Sequence, residues 1–266
     1  MKRWLGLGLT IAVVLAAALA PWLAAHDPLT ADFAAFLKPP GSPGHPLGTD
    51  QLGRDLFARV LHGARLALFI GACTVVITAV VGGMLGLIAG FVERWPSTVL
   101  MRIADVQLSF PFILLALTIN AIVGLGLRNI IISLSAAGWV VYARVVRGEV
   151  LTVKQRDFVH AAAALGVGRP RLLFRHVLPN VAPSIIVVAS LQFSQFIVAE
   201  AAISYLGFGV QPPTPAWGSM LSESRDFLYV AWWLAAFPGA ALALTALGVN
   251  LLGDWLRDTL DPKLRV

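Results

Sequence analysis

The chain has 266 residues, of which 58% are hydrophobic and only 13% charged, with 20 Lys and Arg against 14 Asp and Glu and a formal net charge of +6. A soluble domain carries about 25% charged residues, so this composition argues against an ordinary water-soluble fold and points to a chain embedded in lipid. The one cysteine, Cys73, excludes an intrachain disulfide, and no Cys/His cluster has metal-ligand spacing.

Lys2 and Arg3 precede an uncharged run from Trp4 to Ala25. The apolar core of a cleaved signal peptide is only about 7–15 residues. This run is longer and suits an uncleaved first span, because crossing the hydrocarbon layer takes about 20 residues. Five further apolar segments follow at 65–91, 98–124, 128–146, 182–206 and 231–253. Backbone in lipid must satisfy its own hydrogen bonds, so all six are expected to be helices. The fold expected is an all-α membrane protein with six transmembrane helices. It divides into an N-terminal helix (1–25), an external segment (26–63), a membrane core (64–256) and a C-terminal tail (257–266).

Within the external segment, residues through Pro46 are rich in proline and glycine and read as irregular. A helix capped by Thr49 or Asp50 then carries Leu52, Leu56, Val60 and Ala64 on one face, with Asp55 and Arg59 as an i,i+4 pair. This predicts an amphipathic helix lying at the outer interface. Asp50, Arg54 and Asp55 are candidates for an external functional contact, and a structural anchor is the alternative. In the second span Gly82, Gly83, Gly86 and Gly90 offer either a close-packing face or a flexible lipid-facing one. Ser133, Ser135 and Gly138 dilute the fourth span and fit close packing as well.

The external stretch 207–230 carries Pro212, Pro213, Pro215, Trp217 and Gly218. Prolines fix a turn-rich path and tryptophan suits the interface, giving a re-entrant loop or a rigid connector. Pro213 and Trp217 join the candidates for external contact. Asp105, with Arg102 one turn before it, predicts an ion pair along a single helix. Gln192, Gln195 and Ala199 follow helical spacing, and Glu200 has no partner nearby in sequence. Gln192, Gln195 and Glu200 are therefore the candidate translocation path, although interhelical hydrogen bonds would use the same residues.

Placing the N-terminus in the cytoplasm and alternating leaves Lys38, Arg54, Arg59, Arg65, Arg128 and Arg225 outside, and the other fourteen of the 20 basic residues inside. The basic residues thus favour both termini in the cytoplasm, and with them the 147–181 loop. In that loop Phe158, Ala161, Ala162 and Leu165 recur at helical spacing over 154–165, and Gly166 stands at a C-terminal stop. Arg169-Pro170 restarts a helix whose apolar side holds Leu172, Leu173, Phe174, Val177 and Leu178, with Pro179 ending it. Two short helices around a glycine corner result. They either lie on anionic lipid or dock into a groove on a soluble partner. The chain has no Gly-x-x-x-x-Gly-Lys phosphate loop, no nucleophile–base constellation and no zinc motif.

The segment His160-Ala161-Ala162-x-x-x-Gly166 followed by Leu178-Pro179 resembles the EAA loop of bacterial ABC-importer permeases. Five further runs resemble the C-type subunit of the dipeptide/oligopeptide/nickel permease family: His45-Pro46-Leu47-Gly48-Thr49-Asp50-Gln51-Leu52-Gly53-Arg54-Asp55, Tyr142-Ala143-Arg144-Val145-Val146-Arg147-Gly148-Glu149, Arg175-His176-Val177-Leu178-Pro179-Asn180, Pro212-Pro213-x-Pro215-x-Trp217-Gly218 and Asn250-Leu251-Leu252-Gly253-Asp254-x-Leu256-Arg257-Asp258-x-Leu260-Asp261-Pro262. One departure is visible: His160 replaces the glutamate that names the loop.

The resemblance implies a non-catalytic membrane subunit that binds no cofactor of its own, with ATP and Mg held by partner subunits. Its implied partners are a second homologous permease, two ABC ATPase subunits, an extracytoplasmic solute-binding protein and membrane lipid, with no nucleic acid; on that reading Asp50, Arg54, Asp55, Pro213 and Trp217 belong to an outer gate or a rest for the binding protein. It implies a cytoplasmic coupling-helix loop and assigns Phe158, His160, Ala161, Ala162, Gly166, Arg169, Arg171, Leu172, Phe174, Arg175, Leu178 and Pro179 to it. Peptides are the default substrate; nickel and glutathione are carried by relatives. An ion-coupled secondary transporter is the reading from another class. It calls for inverted repeats and an ionisable midplane site, whereas the chain shows no internal repeat and its charges lie towards the span ends.

Overall fold

The computed structural model describes residues 2–92 and 95–260, and among them every extended element is a helix. Arg94, Lys263 and Arg265, three of the basic residues assigned to the inner side, lie outside the described residues. Helix α1 (Lys2–Leu23) packs along α10 (Trp233–Leu260) at two glycines. A Cβ at Gly6 would stand 2.6 Å from Leu251 Cβ, and one at Gly248 2.9 Å from Leu9 Cβ. Ala17 and Ala20 are also buried, and the opposite side of α1 turns outward, with Trp4, Ile11, Val14, Leu15 and Trp22 exposed. Trp4 and Trp22 are about 27 Å apart along the axis at 1.5 Å per residue. That spacing is close to the hydrocarbon thickness of about 30 Å, as expected for aromatic anchors at the two interfaces.

The expected interfacial helix is absent among the described residues. Residues 49–55 instead form a tight turn closed by an antiparallel bridge between Thr49 and Asp55. Gly53 sits in this turn at φ +71°, where a Cβ would lie 1.7 Å from the Asp32 carbonyl oxygen. Asp55 rather than Asp50 caps the helix that follows, accepting the Ala58 N–H at 2.8 Å. That helix, α2 (Leu56–Phe91), runs unbroken for 36 residues, about 54 Å, so it extends beyond the hydrocarbon layer. The amphipathic segment and the second span are one rod, since nothing between Leu56 and Phe91 interrupts its backbone bonding.

The glycines of α2 are a packing face. Cβ atoms at Gly82, Gly86 and Gly90 would stand 2.3 Å from Trp139 O, 2.5 Å from Ala143 O and 2.7 Å from Val150 Cβ, all on α5 (Leu127–Lys154). Lipid tails are as apolar as leucine side chains, so helices associate in the bilayer through such close backbone approach. Gly138 on α5 does the same beneath the Phe196 ring, at 2.7 Å.

The third expected span, 98–124, is a broken pair: α3 (Trp95–Leu108) and α4 (Phe112–Val123) meet at 96°. Pro111 lacks an N–H and disfavours helical geometry at Phe110, which ends α3 in a short turn (Phe110 N–H to Gln107 O, 3.2 Å). Five helices are thus long and apolar enough to cross a membrane, and six spans result if the bent pair counts as one. Three apolar clusters hold the bundle. The first gathers Leu56, Ile197, Trp217 and Trp233, the second Ile70, Leu134, Ala199 and Ile203, and the third Leu87, Val146, Val150 and Val177.

Gly86→Leu forces a branched side chain against the α5 backbone. It is expected to destabilise the bundle by at least the ~1–3 kcal/mol typical of overpacking. Gly83→Ala, whose Cβ meets only Ile185 at 3.7 Å, is expected to behave as wild type. Thermal unfolding midpoints of both variants in detergent check the difference.

Candidate functional site

The protruding loop is an elbow. Its first helix, α6 (Asp157–Ala164), starts three residues later than the periodicity suggests, because α5 continues to Lys154. Gly166 stands at φ +80° just past its end. The Gly166 N–H reaches Ala163 O at 3.0 Å and the Val167 N–H reaches Ala162 O at 3.2 Å, the paired bonds of a Schellman motif. The next turn, α7 (Arg169–Arg171), has Pro170 near its start, where a missing N–H costs nothing.

Pro179 does not end this second helix. A π-helical turn, Leu172–Val177, precedes α8 (Leu178–Tyr205), and the Leu178 N–H bonds back to Leu173 O across the wider ring. Proline in a regular helix clashes with the carbonyl four residues before it. The wider turn moves that carbonyl aside. The chain from Arg169 to Tyr205 is consequently one helical run of 37 residues.

The elbow has two faces. Val159, Ala162, Leu172, Leu173 and Val177 are buried in a cluster with Leu87, Val146, Val150 and Val153 of α2 and α5, and Leu178 packs at its edge. The other face is open. It carries Phe158, His160, Ala161, Gly166, Arg169, Arg171, Phe174, Arg175 and Pro179, with Leu165 85% exposed. Of the expected coupling residues, Ala162 and Leu172 thus hold the elbow to the bundle, and most of the others point away from it.

On the opposite side, two distant motifs build one buried knot. Asp50 Oδ1 accepts the N–H groups of Leu52 and Arg54 at 2.8 and 2.9 Å, while its Oδ2 meets Arg54 Nε at 2.7 Å and lies 3.3 Å from Arg59 Nη1. Glu223 Oε2, at the end of α9 (Trp217–Glu223), accepts from Arg54, Arg59 and Gln51, each at 3.2 Å. The Trp217 indole N–H reaches Val60 O at 3.0 Å, and its ring occupies the space a Cβ at Gly63 would need. His45 pairs with Asp55 at 2.9 Å and stacks on His26. Asp50, Arg54, Asp55 and Trp217 are all buried in this chain, and Pro213 alone of the external candidates is exposed. Glu223 belongs to no recognisable motif. Its one sequence signal is a local charge mismatch: once Asp55 caps α2, Asp50 is the one acid left beside Arg54 and Arg59 between residues 49 and 60.

The polar residues of the spans scatter. Gln192 and Glu200 are buried, Glu200 accepting a bond from Ser204 Oγ at 2.6 Å. Gln195 is exposed on a different face and lines an open cavity of about 580 Å³ between α4, α8 and α10. The three candidate path residues are therefore not brought together. Asp105 pairs with Arg144 on α5 rather than with Arg102 on its own helix. Gln107 ties α3 to α5, donating to Ala137 O at 2.8 Å and accepting from the Trp139 indole at 3.0 Å. Asn120 donates to Phe208 O and accepts from Ser133.

Residues 82–266 match the family model described as "Binding-protein-dependent transport system inner membrane component". Over 266 aligned residues the chain is 45% identical to the di/tripeptide transport system permease protein of Pseudomonas aeruginosa, covering 98% of this chain and 88% of that protein. It is 44% identical over 224 residues to the glutathione transport system permease protein of Pectobacterium atrosepticum, covering 84% of this chain and 74% of the relative. With the probable D,D-dipeptide transport system permease protein of Escherichia coli K12 it shares 41% over 243 residues, 91% and 81% of the two chains.

Arg59→Met removes one cation from a buried ion network and is expected to cost about 3–5 kcal/mol. Glu223→Gln keeps a hydrogen-bond acceptor at a position with a side chain 24% exposed, and should cost less. Unfolding midpoints of the two variants measure the order.

Proposed function

This chain belongs to the family of binding-protein-dependent transport system inner membrane components, and from that membership we propose that it is a permease subunit of an ATP-binding-cassette importer of di- and oligopeptides. It is a multi-pass component of the cytoplasmic membrane. The chain carries no phosphate loop, so ATP and its Mg are bound and hydrolysed on separate subunits. Two such ATPases, a second homologous permease and an extracytoplasmic solute-binding protein complete the machine. Both termini and the elbow face the cytoplasm, in accord with the excess of basic residues on that side. The peptide assignment draws on the relatives named for di/tripeptide, peptide and dipeptide transport, and the relatives named for glutathione carry a small peptide-like solute.

One observation carries the mechanism: the elbow is fixed to the bundle on one face and presents apolar side chains rimmed by arginines on the other. An apolar stripe of Phe158, Leu165 and Phe174 suits insertion into a groove on an ATPase. Arg169, Arg171 and Arg175 set its orientation, since charges at the rim steer and register more than they bind. ATP binding closes the ATPase pair and drags the elbow. The elbow turns the helical run that begins at Arg169, and the spans rock between inward-open and outward-open packings. Hydrolysis resets the cycle.

Leu165→Asp places a charge where the groove would close. It is expected to weaken ATPase association by at least ~2 kcal/mol, about thirty-fold. Co-purification of the ATPases at wild-type yield would overturn the docking. Gly166→Pro removes a donor of the Schellman motif and cannot adopt φ +80°. Its expected phenotype is ATP hydrolysis without peptide uptake in a membrane-inserted protein, read as the ratio of the two rates in proteoliposomes.

A further inference from the structure

The open cavity between α4, α8 and α10 has a volume of about 580 Å³, within the range of small-ligand sites. Its wall is apolar except at a few points. Ser194 bonds within the bundle, to Ala246 O at 3.3 Å. Gln195 on α8 and Asn250 on α10 both face the cavity, are exposed, and make no hydrogen bond among the described residues. Each lies about 15 Å from one end of a helix about 42 Å long, inside a hydrocarbon layer of about 30 Å. Carboxamides left unpaired against lipid at that depth would each cost several kcal/mol, so they face water, a solute or another subunit.

We propose that Gln195 and Asn250 are the substrate-reading pair of the translocation path, hydrogen-bonding the main-chain amide groups of a peptide in transit. This rests on the reading of the chain as a peptide-importer subunit and names the residues that act in it. Each carboxamide offers two donors and an acceptor oxygen, the complement of a peptide C=O and N–H. The lining contains no carboxylate, ammonium, guanidinium, imidazole or thiol. A transition-metal ion would find no imidazole, thiolate or carboxylate there, and a bare charged side chain no counter-charge. Uncharged amide contacts are common to every peptide, so such a pair passes many side chains without preferring one. Asn250 opens a motif near the C-terminal end, and only the antiparallel packing of α8 and α10 sets it across from Gln195.

The test uses the complete transporter in proteoliposomes, with its binding protein loaded with tritiated tri-alanine. The double variant Gln195→Met/Asn250→Leu keeps side-chain bulk and removes both carboxamides. Uptake of tri-alanine is expected to fall at least ten-fold in a complex that assembles with wild-type stoichiometry. Uptake within two-fold of wild type would overturn the proposal. Should the double variant fail to assemble, p-benzoylphenylalanine at Val198, which lines the same cavity, gives the second readout. A light-induced crosslink to tritiated tri-alanine is expected during ATP-driven turnover. Crosslinks to lipid or to another subunit alone would overturn it, because the pair would then face a protein or lipid neighbour. A wild-type complex that takes up no peptide at all sinks the importer reading and this inference together, whereas wild-type uptake with an unaffected double variant sinks the inference alone.

Discussion

The continuity of the helix from Arg169 to Tyr205 is the constraint on which the other features depend. Its near end is the second arm of the elbow, and its far half packs Ile197 against Trp217 and sets Ala201 under Gly218, where a Cβ would be 2.1 Å from the Ala201 carbonyl. Without the π turn at Leu172–Val177, Pro179 would break this rod beside the elbow. With that turn, a rigid element about 55 Å long joins the two sides of the membrane. On the proposed coupling to an ATPase, a displaced elbow would carry this rod with it, toward the knot at its far end.

The knot itself explains why two stretches so far apart in sequence are both rich in restrictive residues. The first supplies a seven-residue turn with a left-handed glycine and two arginines; the second supplies a tryptophan and a carboxylate. Neither half is self-sufficient. Arg54 and Arg59 would be costly buried charges without Glu223, and the Trp217 indole would be an unsatisfied donor without Val60. Folding pairs them, leaving the N-terminal end of α2 and the loop before α10 as one unit.

Between the two ends, the bundle is held by contacts that lipid cannot imitate. Apolar area contributes little to helix association when the solvent is itself apolar, so glycine faces and interhelical hydrogen bonds do that work. Gly82, Gly86 and Gly90 let α2 touch the backbone of α5, while Gln107 and Asn120 fasten the two halves of the broken third span to α5 and to the turn at Phe208. Several polar groups deep in the spans are paired, while the buried hydroxyls of Thr74 and Ser135 are not; Gln195 and Asn250 stand apart because they are exposed and face the open cavity.

Much of this was legible from residue order alone. Long uncharged runs mean helices in lipid, because nothing else satisfies their backbone. The corner at Gly166 follows from a left-handed stop that glycine tolerates best. The family resemblance rests on motifs that can be read directly. What periodicity could not supply was anything set by neighbours distant in sequence. A pattern of Leu52, Leu56 and Val60 suggests a helix from Thr49, yet the chain turns there because Gly53 fits against Asp32, far back in the chain. The hydropathy of 98–124 conceals Pro111, whose effect on direction no composition window records. Gln192, Gln195 and Glu200 lie close in sequence, yet packing buries Gln192 and Glu200 and leaves Gln195 open to the cavity, while Asn250 arrives there from another helix. Sequence by itself determined which segments enter the membrane and where the elbow bends, since those depend on local chemistry. Tertiary structure alone decided which polar groups find partners and which face the cavity, since that depends on what each helix is laid against.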